Sequence, residues 1–292
     1  MFGFLNINKP VGLTSHDVVA RVRRQVGRGV KVGHAGTLDP FATGVLVVCL
    51  GPATRLADYV QAATKRYRTV VTLGATSTTD DTEGEIVAQE VPVPPTAESV
   101  RAACAAFVGD ILQTPPNHSA VHIDGQRAYK LARRGETVEL TPREVRIHVV
   151  DIVDYAYPSL TLDIHCGSGT YIRSIARDLG VALGTGGYCS QLERTAIGEF
   201  LVADAKAIDE LVFPADVQNP LLALADWPKL TVPSELLRDM NDGKALPLDL
   251  LTSDSTDTPS TVALLDDAGT LLALAEVIDD VAKPKKVFRV PE

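Results

Sequence analysis

The chain has 292 residues, of which 45% are hydrophobic and 22% charged, and its formal net charge is −9. That length can bury a substantial core in one or two domains, and the composition is that of an ordinary globular protein. No apolar run approaches the roughly 18 residues of a membrane span and no signal-peptide layout is evident, so a membrane role is excluded and a cytoplasmic location expected. Four scattered cysteines (Cys49, Cys104, Cys166, Cys189) lack paired metal-ligand spacing, so free thiols and no metal are expected. The charge is uneven: residues 1–68 hold ten Lys/Arg against three acids, whereas residues 209–292 hold seven against sixteen. Phosphate binding follows local charge rather than the sum, so a basic front end on an acidic body fits an RNA partner held with marked salt dependence.

Residues 4–8 read as a short strand closed by Lys9-Pro10-Val11-Gly12. Thr14-Ser15-His16-Asp17 then has the signature of a helix start, with Val18, Val19, Val22 and Val26 as the apolar stripe. On that helix Arg21, Arg24 and Arg28 fall three and four apart and are expected to share one face, either solvated or turned to phosphate. The most informative stretch follows: Gly33-His34-Ala35-Gly36-Thr37-Leu38-Asp39-Pro40-Phe41-Ala42-Thr43-Gly44. It sets one carboxylate, Asp39, in a glycine-punctuated turn before the apolar run Val45 to Cys49. Glycines beside a carboxylate let a nucleic-acid backbone approach, Pro40 biases Asp39 away from helical geometry, and a strand behind the turn can hold it rigid. The Asp-Pro pair alone is equally an ordinary turn.

Residues 66–73 are rich in β-branched and aromatic side chains and predict a strand with Tyr67, Thr69, Val71 and Leu73 on one side. The tract Thr76 to Gly84 reads as a loop, and Pro92 to Pro95 punctuates the entry to a helix near 97–108. Residues 117–140 are the least regular part, within which Arg127, Lys130, Arg133 and Arg134 fit one side of a short helix. Leu160 to Cys166 alternates cleanly and is the clearest strand. Gly167-Ser168-Gly169 turns the chain into a helix over 170–183, so Arg173 stands in a first turn, against the helix dipole. A carboxylate such as Asp39 would compensate it. The prolines of 209–232 suggest a connection, beyond which short apolar runs (Val262 to Leu265, Leu271 to Val277) and Asp/Gly turns suggest a small β-rich domain, with a loop over Ser253 to Ser260.

Four ordered segments resemble the TruB family of tRNA pseudouridine synthases: the stretch 33–44, Asn8 to Ser15, Lys65-Arg66-Tyr67-Arg68, and Gly169-Thr170-Tyr171-Ile172-Arg173. The resemblance runs from about residue 5 to about residue 200. It implies an α/β fold of the α+β type, with a mixed, largely antiparallel sheet, flanking helices and a small β-rich C-terminal domain. It divides the chain into a catalytic domain over 1–228, with an RNA-clamping insertion near 117–140, and a PUA-like domain over 229–292. The implied reaction converts uridine to pseudouridine at position 55 in the T loop of tRNA. This breaks the bond from ribose C1′ to uracil N1 and rejoins the base through C5, so nothing is oxidised and no cofactor or metal is required. The partner is the T stem-loop of tRNA, and a monomer without an obligatory protein partner is expected.

Residue by residue, the resemblance makes Asp39 the catalytic carboxylate, Arg173 the cation that keeps it ionised and aimed, and Tyr67 the ring that stacks on the extruded base and takes part in moving the C5 proton. Whether Asp39 attacks C1′, attacks C6 or removes the 2′ proton stays open. His34 contacts RNA and helps displace the base. Tyr171 and Leu192 line the uracil pocket, Lys9 and Pro10 support the catalytic loop, and Arg21, Arg24, Arg127, Lys130 and Arg133 are candidates for phosphate contact. The chain departs from the family pattern at Asn8, His118, Tyr188 and Thr78-Thr79-Asp80-Asp81, none of which is expected to touch Asp39, Tyr67 or Arg173. Two other classes remain. A glycoside hydrolase would need a second carboxylate facing Asp39, and Asp58, the next acid along, has no comparable setting. A non-catalytic RNA binder would not need a carboxylate facing phosphates.

Overall fold

Alternation of apolar and polar side chains builds the central sheet. In β4 (Lys65–Leu73) odd-numbered residues are buried and even-numbered ones more open, and β11 (Ser159–Cys166) alternates in the same way, so the two pair antiparallel with matched faces. The computed structural model describes residues 1–116, 122–123, 126–127, 140–253 and 260–288. Around the β4–β11 pair runs a nine-stranded sheet that also contains β1 (Gly3–Lys9), β2 (Val32–His34), β3 (Thr43–Leu50), β7 (Gly109–Gln113), β10 (Arg143–Ala156), β12 (Gly187–Ile197) and β13 (Phe200–Leu201). Its order is β1-β3-β12-β4-β11-β10-β7, with β2 on β3 and β13 on β12. Every pairing is antiparallel except the short parallel contact of β3 with β12, so the sheet is mixed and largely antiparallel, as expected.

Helix α1 (Ser15–Val26) starts on a capping box in which Thr14 and Asp17 satisfy each other's backbone amides, and buries Val18, Val19 and Val22 against β1 and β3. It ends at Gly27, so Arg28 lies beyond it and only Arg21 and Arg24 ride the helix; the expected three-residue row is shorter than the spacing suggested. After β3 come a 3₁₀ turn and α2 (Ala57–Ala62). The helices α3 (Ala97–Ala105) and α4 (Ile172–Ala182) cover one face of the sheet over a core of Val71, Leu160, Leu162, Ile175, Ala176 and Leu179. The tract 76–84 is only partly a loop: β5 (Ala75–Ser77) pairs with β6 (Ile86–Ala88), so it is the turn of a hairpin. Arg127 falls in the two-residue strand β9 (Gln126–Arg127), which pairs with β8 (His122–Ile123), rather than on a helix; Lys130, Arg133, Arg134 and His118 lie outside the described residues.

The second sheet has six strands in the order β15-β19-β18-β17-β14-β16, made of β14 (Lys229–Thr231), β15 (Leu246–Pro247), β16 (Thr252–Ser253), β17 (Thr261–Leu265), β18 (Leu271–Ile278) and β19 (Val281–Val287), with α5 (Leu237–Asn241) beside them. This is the β-rich C-terminal part. The proline-rich stretch before it is no free linker: its 3₁₀ turns carry Ile208 and Leu224 into the core. One apolar cluster spans the seam, joining Phe4, Ala53, Leu56 and Val60 to Leu271, Leu274 and Phe288. All four cysteines are free and buried, and burial pushes the Cys49 and Cys189 thiols up to about 12. Among the described residues, no helix is long and apolar enough to cross a membrane.

Candidate active site

Loop 35–42 hangs between β2 and β3, and its geometry is set almost entirely by main-chain carbonyls facing buried donors. Ser15 Oγ, at the start of α1, donates to Leu38 O (3.0 Å) and accepts from Leu38 N–H (2.9 Å). The Lys9 ammonium is wholly buried and donates to Pro10 O (2.9 Å), Leu13 O (2.8 Å) and Pro40 O (3.3 Å). Burial lowers its pKa to about 8, with the Asp39 charge acting in the opposite sense. From the other side Arg194, 2% exposed, donates to Val45 O (2.8 Å), Thr37 O (3.2 Å) and Gly36 O (3.3 Å). Gly44 makes the crossing possible: it has φ +96°, and a Cβ there would fall 2.3 Å from Arg194 O.

Thus held, Asp39 faces a cavity of about 300 Å³ that is also lined by Tyr67, Tyr171, Arg173, Leu192 and Arg194. The Asp39 side chain remains 32% exposed and lines the cavity. Its Oδ2 lies 3.0 Å from Arg173 Nε, at the base of α4. The same guanidinium turns Nη1 to Asp81 Oδ2 (2.9 Å) and to Thr79 O (3.0 Å). Here the sequence expectation fails. The loop 78–81 does touch Arg173, because β12 draws it in: Cys189 N–H donates to Asp80 O, and Asp81 bridges Cys189 in parallel register. Asp81 is 1% exposed and fixed by Thr79 Oγ1 (2.5 Å) and Glu83 N–H (2.9 Å). Its neighbour Asp80 pairs with Arg177 Nη1 (2.9 Å), one turn further along α4. The cation in the first turn of α4 is therefore compensated by two carboxylates.

Burial raises the pKa of Asp39, and the charge of Asp81 adds to the rise; Arg173, then Arg194 and Lys9, oppose it. The expected pairing is present, but the guanidinium offsets the desolvation rather than reversing it. Tyr67 comes from the buried face of β4 and keeps 9% of its surface, at the cavity wall. Burial raises its pKa, and the positive charge of Arg194 opposes the rise.

Of the other expected residues, Tyr171 lines the cavity, its backbone clamped by Gln113, which accepts from Tyr171 N–H (2.8 Å) and donates to Tyr171 O (3.0 Å). Leu192 is 7% exposed and belongs both to the core and to the cavity wall, so its two readings coincide. Pro10 is exposed and contributes the carbonyl that Lys9 binds. His34 does not line the cavity; it sits on β2 with its ring edge-on to His16, centroids 5.3 Å apart. Arg21 is half-buried and Arg24 exposed, both away from the cavity, and the Arg127 side chain lies outside what is described.

Sequence reasoning missed Asp81, Arg194, Lys65, Gln113 and Arg143. Only the burial of Arg194 and its three carbonyl partners show that it braces the loop. Asp81 carried no signal of its own, because what brings it to Arg173 is the bridge to Cys189 on a distant strand.

A model described as "TruB family pseudouridylate synthase (N terminal domain)" matches residues 23–172. The chain is 47% identical over 238 residues to the tRNA pseudouridine synthase B of Microcystis aeruginosa (strain NIES-843 / IAM M-2473), covering 79% of this chain and 80% of that protein. It is 44% identical over 291 residues to the tRNA pseudouridine synthase B of Parasynechococcus marenigrum (strain WH8102), covering 98% and 97%. Among solved structures, a chain of a Cbf5-Nop10-Gar1 complex superposes with a TM-score of 0.75 at 23% identity, covering 99% of this chain and 85% of that one, which is a likeness of fold.

Proposed function

The chain belongs to the TruB family of tRNA pseudouridine synthases, and from that premise we propose that it isomerises uridine 55 of the tRNA T loop with Asp39 acting on an extruded base. The observation that carries the reading is the single half-open carboxylate at the end of the cavity, 3.0 Å from a buried guanidinium. All three routes open to Asp39, addition at C1′, addition at C6 and removal of the 2′ proton, begin from its ionised form. Arg173 favours that form and fixes the carboxylate's direction; Asp81, closed off behind it, fixes Arg173 in turn. This arrangement argues against the two-carboxylate hydrolase. The second carboxylate is buried beneath the arginine and cannot face a sugar from the opposite side.

The base must leave its stack at a cost of a few kcal/mol, and one aromatic ring returns about 1–3 kcal/mol. Tyr67 offers that ring, with Leu192 and Ile172 as apolar walls beside it. Its raised pKa keeps the hydroxyl protonated in the free protein, which favours stacking and hydrogen-bond donation over proton abstraction. In the balance of the reaction the C1′–N1 bond breaks, C1′–C5 forms, the C5 proton leaves and N1 is protonated.

The wider reading follows the same premise. Residues 1–228 form the catalytic domain and 229–292 a PUA-like domain. Lys9 and Pro10 act through the catalytic loop, Tyr171 closes the uracil pocket, His34 meets RNA outside the cavity, and Arg21, Arg24, Arg127, Lys130 and Arg133 are the candidates for contact with phosphates. The enzyme acts as a cytoplasmic monomer on tRNA, without cofactor. The test incubates unmodified tRNA transcript with wild type and Asp39→Asn and maps pseudouridine. Modification by the wild type alone, with tRNA still bound by the variant, is the expected result; equal modification by both, or none by either, overturns the reading.

A further inference from the structure

Two cations in the cavity are left over by the Asp39 network. Lys65 and Arg143 line the same space, and among the described residues neither is paired with a carboxylate. Lys65 is 8% exposed; its ammonium donates to Gln61 O and to Ala63 O (2.6 Å), which leaves one of three donors unused. Arg143 donates from Nη2 to Gly169 O (2.5 Å) and lies 4.7 Å over the Tyr171 ring, yet its Nε is buried without a hydrogen-bond partner. The two flank one turn: Lys65 is in register with Cys166 at the end of β11, Gly167 N–H donates to Arg146 O, and Gly169 is the residue Arg143 holds. The glycines of that turn present backbone to the cavity, and the first turn of α4 above it carries no side-chain cap.

A buried donor without an acceptor costs about 1–3 kcal/mol, so a site that keeps one is built for a ligand's acceptor. Uracil is neutral and is served by the apolar and aromatic wall. The only anion that RNA brings is its phosphodiester, which suits an arginine fork set beside an ammonium. Resting on the RNA-modifying reading above, we propose that Arg143 and Lys65 clamp one backbone phosphate beside the extruded uridine across the 167–169 turn. The clamp holds the nucleotide's backbone while its base rotates.

The test measures binding in the full-length Asp39→Asn background, where no turnover intervenes, using T-arm RNA and versions carrying a single neutral methylphosphonate at each position flanking the target uridine. Arg143→Gln should weaken binding about tenfold and lower the slope of log affinity against log salt by about one. Arg143→Lys should restore the slope. One methylphosphonate should weaken binding to the parent and add little to the loss in Arg143→Gln, and Lys65→Met should behave in the same way at the same phosphate. Additive losses at every flanking position, or an unchanged salt slope, overturn the clamp and leave Arg143 a prop for Tyr171. Inorganic phosphate competing equally against neutralised and native RNA overturns it too, by pointing to a free anion as ligand. Failure of the wild type to form pseudouridine would strike the catalytic reading alone, because this cycle reads binding.

Discussion

Two acidic loops meet at one guanidinium, and they could hardly be more different in setting. Loop 35–42 carries Asp39 at the cavity wall with about a third of its side chain open, whereas loop 78–84 carries Asp81 with 2% open. Both carboxylates lie within 3.0 Å of Arg173, one at Nε and the other at Nη1. The open one can meet a substrate; the closed one can only hold the arginine. A single cation thereby turns two chemically equal groups into a reactive group and an anchor, distinguished by exposure and by the further hydrogen bonds that hold Asp81.

That division can be broken in order of severity. Asp39→Asn removes the reactive group and should abolish pseudouridine formation while leaving tRNA binding intact. Because burial has raised the Asp39 pKa, its ionised form costs stability above the ordinary carboxylate range, and thermal unfolding at neutral pH should show no loss in this variant. Arg173→Lys keeps the charge but cannot face both carboxylates with a planar fork, so single-turnover rates should fall by about 10²–10³-fold. Asp81→Asn leaves Arg173 paired to Asp39 but loosely aimed, and a loss of about 10²-fold is expected, carried by kcat rather than KM.

The last three effects separate what was legible in the sequence from what was not. Local patterns wrote themselves plainly: the helix start at Thr14, the alternation of 66–73 and 160–166, and the glycine turn around Asp39 each depend on neighbours in the chain. Arg173 could be paired with Asp39 because a cation in a first helical turn calls for a counter-charge. Asp81 could not be placed, since its position depends on the parallel bridge to Cys189, and register between distant strands leaves no mark on either segment. The same holds for Arg194, which resembles any arginine on a strand until its three carbonyl partners come together from loop 36–45.

Weaker perturbations should sharpen the contrast by sparing the chemistry. Lys9→Met leaves three loop carbonyls without their donor; a stability loss of about 1–3 kcal/mol by denaturant unfolding is expected, with a smaller fall in rate than at Asp81. Arg24→Ala, on an exposed face away from the cavity, should change stability by less than about 0.5 kcal/mol and touch only the salt dependence of tRNA binding.

The pH–rate profile of wild type against Asp81→Asn, in single turnover with saturating tRNA, tests the shared arginine most directly. The wild-type acid limb should lie above the ordinary aspartate value of about 3.9, because burial and the charge of Asp81 both raise the Asp39 pKa. Neutralising Asp81 removes one of those causes, so the limb should move to lower pH even as the plateau falls. A limb that stays in place, or moves upward, would contradict the account.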